Sequence, residues 1–130
     1  MALRGYLAAV AKAVNANDLG LPALRDAATA KRAARHQARY GEDLGKFYPA
    51  PNPVAVLGVR VVSATKREIP ACSLEGGHVL ERAGGPPVSA RKFVGGTFEM
   101  VLEGGRWKLD QAISNTAVDC TAVVPQGRPA

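Results

Sequence analysis

Aromatic residues are scarce in this 130-residue chain, which has one tryptophan, three tyrosines and three phenylalanines. Any core must therefore rest on aliphatic side chains and alanine. The two cysteines and two histidines are too few and too far apart for a zinc site or a redox pair, so neither a metal nor a cofactor is expected. There is no phosphate-binding glycine loop between a strand and a helix, and no nucleophile elbow. No apolar run approaches the roughly 20 residues that span a membrane. Met1-Ala2-Leu3-Arg4 passes directly into helical periodicity, without the charged, apolar and small-residue regions of a signal peptide. Two compartments stay open on this reading. One is the cytoplasm; the other is the exterior or cell surface, with an export signal upstream of Met1.

What is present bounds the rest. The length suits one domain that buries about two-thirds of its unfolded surface. A hydrophobic content of 47% with 22% charged residues is that of a folded globular chain. The net charge of +6 is densest at Lys31, Arg32, Arg35 and Arg39. Without interleaved stacking aromatics this patch reads as a solvated helix face, with His36 exposed beside it, and it disfavours nucleic acid.

Leu3, Tyr6, Leu7, Val10, Ala13 and Val14 recur in steps of three and four, predicting a helix over residues 2–16 with Gly20 near its C-cap. Pro22 opens a second helix to about residue 28, and Thr29 caps a third over 30–45. From Val54 the texture becomes β-branched. Strands are predicted at 54–65 (Gly58 a bulge or bend), 68–74 after a Lys66-Arg67 turn, 78–82, and 89–103 interrupted by Gly95-Gly96. Gly104-Gly105 makes a two-residue hairpin turn, and the last strand runs from Arg106 to residue 118 or 120. Three N-terminal helices followed by about five mostly antiparallel strands define an α+β class, helices on one face of a curved sheet. The domain is placed at residues 1–123, and 124–130 is read as a flexible tail.

The run Gly105-Arg106-Trp107-Lys108-Leu109-Asp110, closing that order of elements, resembles the last hairpin of the nuclear-transport-factor-2-like superfamily. Tyr6-Leu7, the Cys72 strand, the Gly84-Gly85-Pro86-Pro87 loop and the closing Cys120 make the chain most similar to small secreted proteins and lipoproteins of actinobacteria on that fold. The resemblance covers residues 3–120 and implies a cone, or α+β barrel, with a pocket between helices and concave sheet. It spans isomerases, cyclases, hydrolases and non-enzymatic binding modules, so it implies no single activity. It leaves room for a lipid anchor upstream of Met1 and for a homodimer.

Several residues carry candidate chemistry. Cys72 and Cys120 read as a disulfide tying the last strand to the sheet, which would place the protein outside the cytosol. A thiol nucleophile with His36 or His78, or two buried free thiols, are the alternatives. Glu99 is the weak catalytic candidate, an acid or base if it faces the cone, although an outer-face position is commoner for such a residue. Tyr6, Tyr40, Tyr48, Phe93 and Glu99 are the pocket candidates. Trp107 and Leu109 are expected to share a core face with Gln111 and Ile113, with Arg106, Lys108 and Asp110 outward. The favoured function is a non-catalytic secreted or cell-envelope domain that binds an unknown protein or a small hydrophobic ligand in the conical pocket. An isomerase, cyclase or hydrolase of the ketosteroid-isomerase-like type is the alternative, and basic-surface docking to an anionic polymer or membrane surface is a second.

Overall fold

A computed structural model describes residues 2–121, with the backbone only at residues 75 and 76; the tail assigned to 124–130 lies outside the described residues. Helix α1 spans Ala2–Asn15 and buries the predicted stripe, with Leu3, Tyr6, Leu7, Val10, Ala11, Ala13 and Val14 all turned inward. Its end comes earlier than Gly20: Asn17 takes the left-handed conformation (φ 56°), and the amides of Asn17 and Asp18 bond to the carbonyls of Val14 and Ala13. Helix α2 (Pro22–Asp26) starts on its proline, as the fixed proline φ favours.

The third helix expected over 30–45 is in pieces. Helix α3 covers Ala30–Ala33 and helix α4 His36–Tyr40, followed by a 3₁₀ turn at Gly41–Asp43. The cause is one tightened turn. The Arg35 amide bonds back three residues to the Arg32 carbonyl (2.9 Å), so the axis restarts before His36.

The sheet is antiparallel in the order β1-β3-β4-β5, with β2 also pairing β3; the strands are β1 (Val54–Val56), β2 (Arg60–Ser63), β3 (Lys66–Gly76), β4 (Lys92–Glu103) and β5 (Arg106–Ser114). The single strand predicted at 54–65 is therefore split, and Pro70 supplies the reason. Its carbonyl accepts the Leu57 amide (2.9 Å), but proline has no N–H to return, so the ladder breaks opposite residues 57–59. The turn sits at residues 64–65 rather than Lys66-Arg67. No strand forms at 78–82. Leu80 makes isolated bridges to Phe47 and Pro87, and the last strand stops at Ser114. The Gly104-Gly105 turn forms as read, with φ values of 60° and 76° in the left-handed region that favours glycine.

The core lies between α1 and one sheet face. Leu3, Tyr6, Val10 and Val14 pack with Leu24, Ile69, Ala71, Met100 and Leu109 in one cluster dominated by aliphatic side chains. Cys72 and Cys120 lie at disulfide distance (Cα–Cα 5.7 Å) and are bonded, so the segment after β5 is tied to β3. Gly95, the register partner of Cys72, lets that segment come close: a Cβ there would lie 2.6 Å from the Val118 carbonyl oxygen.

Candidate functional site

The site begins where the helices meet β5. The Thr29 amide bonds to the Leu109 carbonyl and the Leu109 amide to the Ala27 carbonyl, both at 3.0 Å, so the start of α3 is pinned to the sheet. The Thr29 hydroxyl oxygen also accepts the Arg32 amide as the α3 N-cap (3.2 Å). From that anchor Arg32, His36 and Tyr40 follow at steps of four and point into the molecule. All three are buried, Arg32 being 8% exposed and His36 3%.

They converge on Tyr6 of α1. Arg32 Nε donates to the Tyr6 hydroxyl (3.0 Å) and an Arg32 terminal nitrogen to the Tyr40 hydroxyl (3.2 Å). The Tyr6 hydroxyl also shares hydrogen bonds with His36 Nε2 (3.0 Å) and with the Tyr40 hydroxyl (3.3 Å). The guanidinium lies near both tyrosine rings, 5.7 and 5.9 Å from their centroids. Burial, then the neighbouring Tyr40, pushes the Tyr6 hydroxyl well above its ordinary pKa. Burial, then the Arg32 charge, lowers His36 to about 4. At neutral pH the cluster therefore holds one formal charge, on Arg32. This corrects two expectations: Arg32 is not on the solvated face with Lys31, Arg35 and Arg39, and His36 is not exposed.

Arg32 and Tyr40 line a cavity of about 140 Å³ between the helices and the concave side of the sheet. Leu7, Val94, Phe98 and Ala112 give it apolar walls, and Asn52 and Ser73 add polar groups. A second cavity of about 330 Å³ shares Leu7, Arg39, Tyr40 and Asn52 with the first and extends to Asp43, Tyr48 and His78. There Tyr48 donates its hydroxyl to the Asp43 carboxylate, and its ring meets that of His78 edge-on at 5.2 Å. Burial, then this bond to Asp43, raises the Tyr48 pKa.

The remaining candidates lie elsewhere. Phe98 and Met100 face the core, so strand alternation puts Glu99 on the opposite side of the sheet. Its carboxylate is 3.3 Å from Lys66 Nζ and accepts the Gln111 amide nitrogen at 2.8 Å. Phe93 is on that same outer side, paired with Leu74 and covered by the Arg91 guanidinium at 5.4 Å. Trp107 closes a separate apolar cavity of about 220 Å³ with Leu3, Ile69 and Met100, the Arg67 guanidinium 4.7 Å from its ring.

The expected parity of β5 fails at one residue. Register with β4 shifts between Leu109, opposite Met100, and Gln111, opposite Glu99, making Asp110 the extra residue of a bulge. Trp107 and Leu109 stay on the core side, but Gln111 and Ile113 cross to the outer face. Asp110, expected outward, instead accepts the Thr29 hydroxyl at 2.9 Å and lies 3.7 Å from Lys31 Nζ.

The signal for the missed cluster was in the sequence: Arg32, His36 and Tyr40 at i, i+4 and i+8 share a helix face, which the surrounding charges disguised. Among the described residues no group of three or more His, Cys, Asp or Glu side chains is placed to hold a metal ion, and no helix is long and apolar enough to cross a membrane.

No family model and no curated protein matches the sequence. Among solved structures, an NTF-2-like protein of unknown function from Shewanella oneidensis MR-1 superposes with a TM-score of 0.52 at 14% identity. The match covers 87% of this chain and 92% of that one. At that identity the likeness speaks for architecture alone: the chain is built on the nuclear-transport-factor-2-like fold.

Proposed function

We propose that this chain is a non-catalytic binding domain, secreted or held at the cell envelope like the small actinobacterial proteins its sequence resembles, that takes a small ligand in its cone. The observation that carries the reading is the cavity between helices and concave sheet, lined by Arg32, Tyr40, Asn52 and Ser73 beside apolar walls. The Cys72–Cys120 disulfide supports the oxidising compartment. The enzymatic alternative wants a carboxylate in contact with the ligand. Glu99 is engaged on the other side of the sheet, and Asp43 receives the Tyr48 hydroxyl. Basic-surface docking is weakened because Arg32 is withdrawn from the patch and Lys31 is engaged by Asp110 and Gln111.

A fragment screen on the isotope-labelled full chain tests the reading. Hits are expected to shift Leu7, Val94 and Phe98 together. A library that moves none of them ends the cone-binding reading, and turnover of a hit that is lost in Asp43→Asn would make the domain an enzyme.

A further inference from the structure

Arg32 poses an electrostatic problem that the protein itself leaves open. A guanidinium that is 8% exposed ordinarily has a carboxylate beside it, because an isolated buried charge is costly. Here both of its hydrogen-bond acceptors are phenol oxygens, and no carboxylate among the described residues forms an ion pair with it. The two tyrosine rings offset part of the charge. They do not neutralise it, since burial keeps the Tyr6 hydroxyl protonated. A purely structural link between two tyrosines could be made by a neutral side chain at less cost.

The geometry says where compensation would come from. Nε and one terminal nitrogen of Arg32 are taken by Tyr6 and Tyr40, while the other terminal nitrogen has no protein acceptor among the described residues. Arg32 lines the 140 Å³ cavity together with Arg39, and its described lining contains no acidic side chain. We propose that the cone takes a small organic monoanion, a carboxylate on a compact apolar body, with its charge set against Arg32. This rests on the cone being a ligand site.

Size and walls narrow the class. A cavity of roughly 150 Å³ accepts a guest the size of benzene, so the first cavity by itself suits the ring of a small acid rather than a nucleotide or a sterol-sized body. Leu7, Val94, Phe98 and Ala112 would cover the body of such an acid, whereas a fully hydrated inorganic anion would gain nothing from them. A carboxylate also matches the paired N–H geometry of a guanidinium.

Benzoate, its neutral analogue benzamide and inorganic phosphate are the probes, titrated into the full chain and followed by NMR and calorimetry. Benzoate is expected to shift Leu7, Val94 and Phe98 and to bind at least about tenfold more tightly than benzamide. Arg32→Gln should cut that preference at least about threefold, with Arg39 on the same cavity wall left in place. In the wild-type chain benzoate, but not benzamide, should shift the Arg32 Nε–H resonance, a test that holds if the Arg32 variant does not fold; an unmoved Nε–H resonance overturns the charge contact. Benzamide binding as tightly as benzoate overturns the anion and leaves the cone-binding reading standing. Phosphate shifting the same residues as tightly as benzoate overturns the organic class. Failure of all three probes to move any cavity residue overturns the proposal, and the cone reading then stands or falls on the wider fragment screen.

Discussion

The Thr29 hydroxyl donates to Asp110 Oδ1 at 2.9 Å, joining the cap of α3 to the bulge of β5 across 81 residues of sequence. Hydrogen bonds to a charged partner contribute about 1.5–3 kcal/mol, and Thr29 also caps the helix. Thr29→Ala and Asp110→Ala should each lower stability by about 1–3 kcal/mol in urea denaturation. Their double variant should lose less than the sum by about 1 kcal/mol. Strict additivity would mean the two side chains do not stabilise each other.

His36 gives the protein a pH response opposite to that of a salt-bridged histidine. The unfolded chain takes up a proton near the ordinary pKa of 6.5, whereas the native imidazole, buried and beside Arg32, does so only at about 4. The unfolded state therefore binds more protons throughout that window. Stability from this group is full above about pH 6.5 and falls by up to about 3 kcal/mol as pH drops to 4. Urea midpoints for wild type and His36→Gln should diverge at pH 7 and converge toward pH 4. Parallel slopes would show that His36 titrates like an exposed imidazole.

Gly95 is predicted to be intolerant of a side chain. A methyl group there meets the Val118 carbonyl oxygen at 2.6 Å and its Cβ at 2.8 Å, so Gly95→Ala must displace the segment after β5. The expected loss is about 1–3 kcal/mol, as for overpacking. Amide exchange should quicken at Asn115, whose N–H bonds to the Gly95 carbonyl. Unchanged protection there would contradict the close approach.

Reduction should weaken the fold without altering the cone. The 48-residue separation of Cys72 and Cys120 corresponds to about 4 kcal/mol in the chain-entropy account. A Cys72→Ala/Cys120→Ala variant should lose stability of that order, yet keep the hydrogen-bonded Tyr6–Arg32 cluster visible in its tyrosine spectra. Alkylation of both thiols in native protein without reductant would overturn the bridge.

The sequence made some of this architecture legible and hid the rest for identifiable reasons. The α1 stripe and the Gly104-Gly105 hairpin are local patterns, and both appear as read. Gly58 was legible as a bulge or bend and the ladder does break at residues 57–59, but that the strand divides there depends on Pro70 in a different strand, outside any window around Gly58. The Asp110 bulge inverts the facing of every later β5 residue through one extra position, which strict alternation cannot anticipate. The cluster around Arg32 is the instructive failure. Charge density in residues 31–39 suggested a wet surface, but inward spacing outweighed composition because Tyr6 and Tyr40 offered hydroxyls to meet the guanidinium.

The bridge between Cys72 and Cys120 has a topological consequence. It turns the chain from β3 to the end of the described segment into a covalent ring that contains β4, β5 and the largely exposed connection at residues 77–91. A protease that cuts that connection opens the ring without releasing anything. The nicked protein would run as a single species until a reductant separates it into two fragments. One lesion in its longest strand connection would leave the molecule whole.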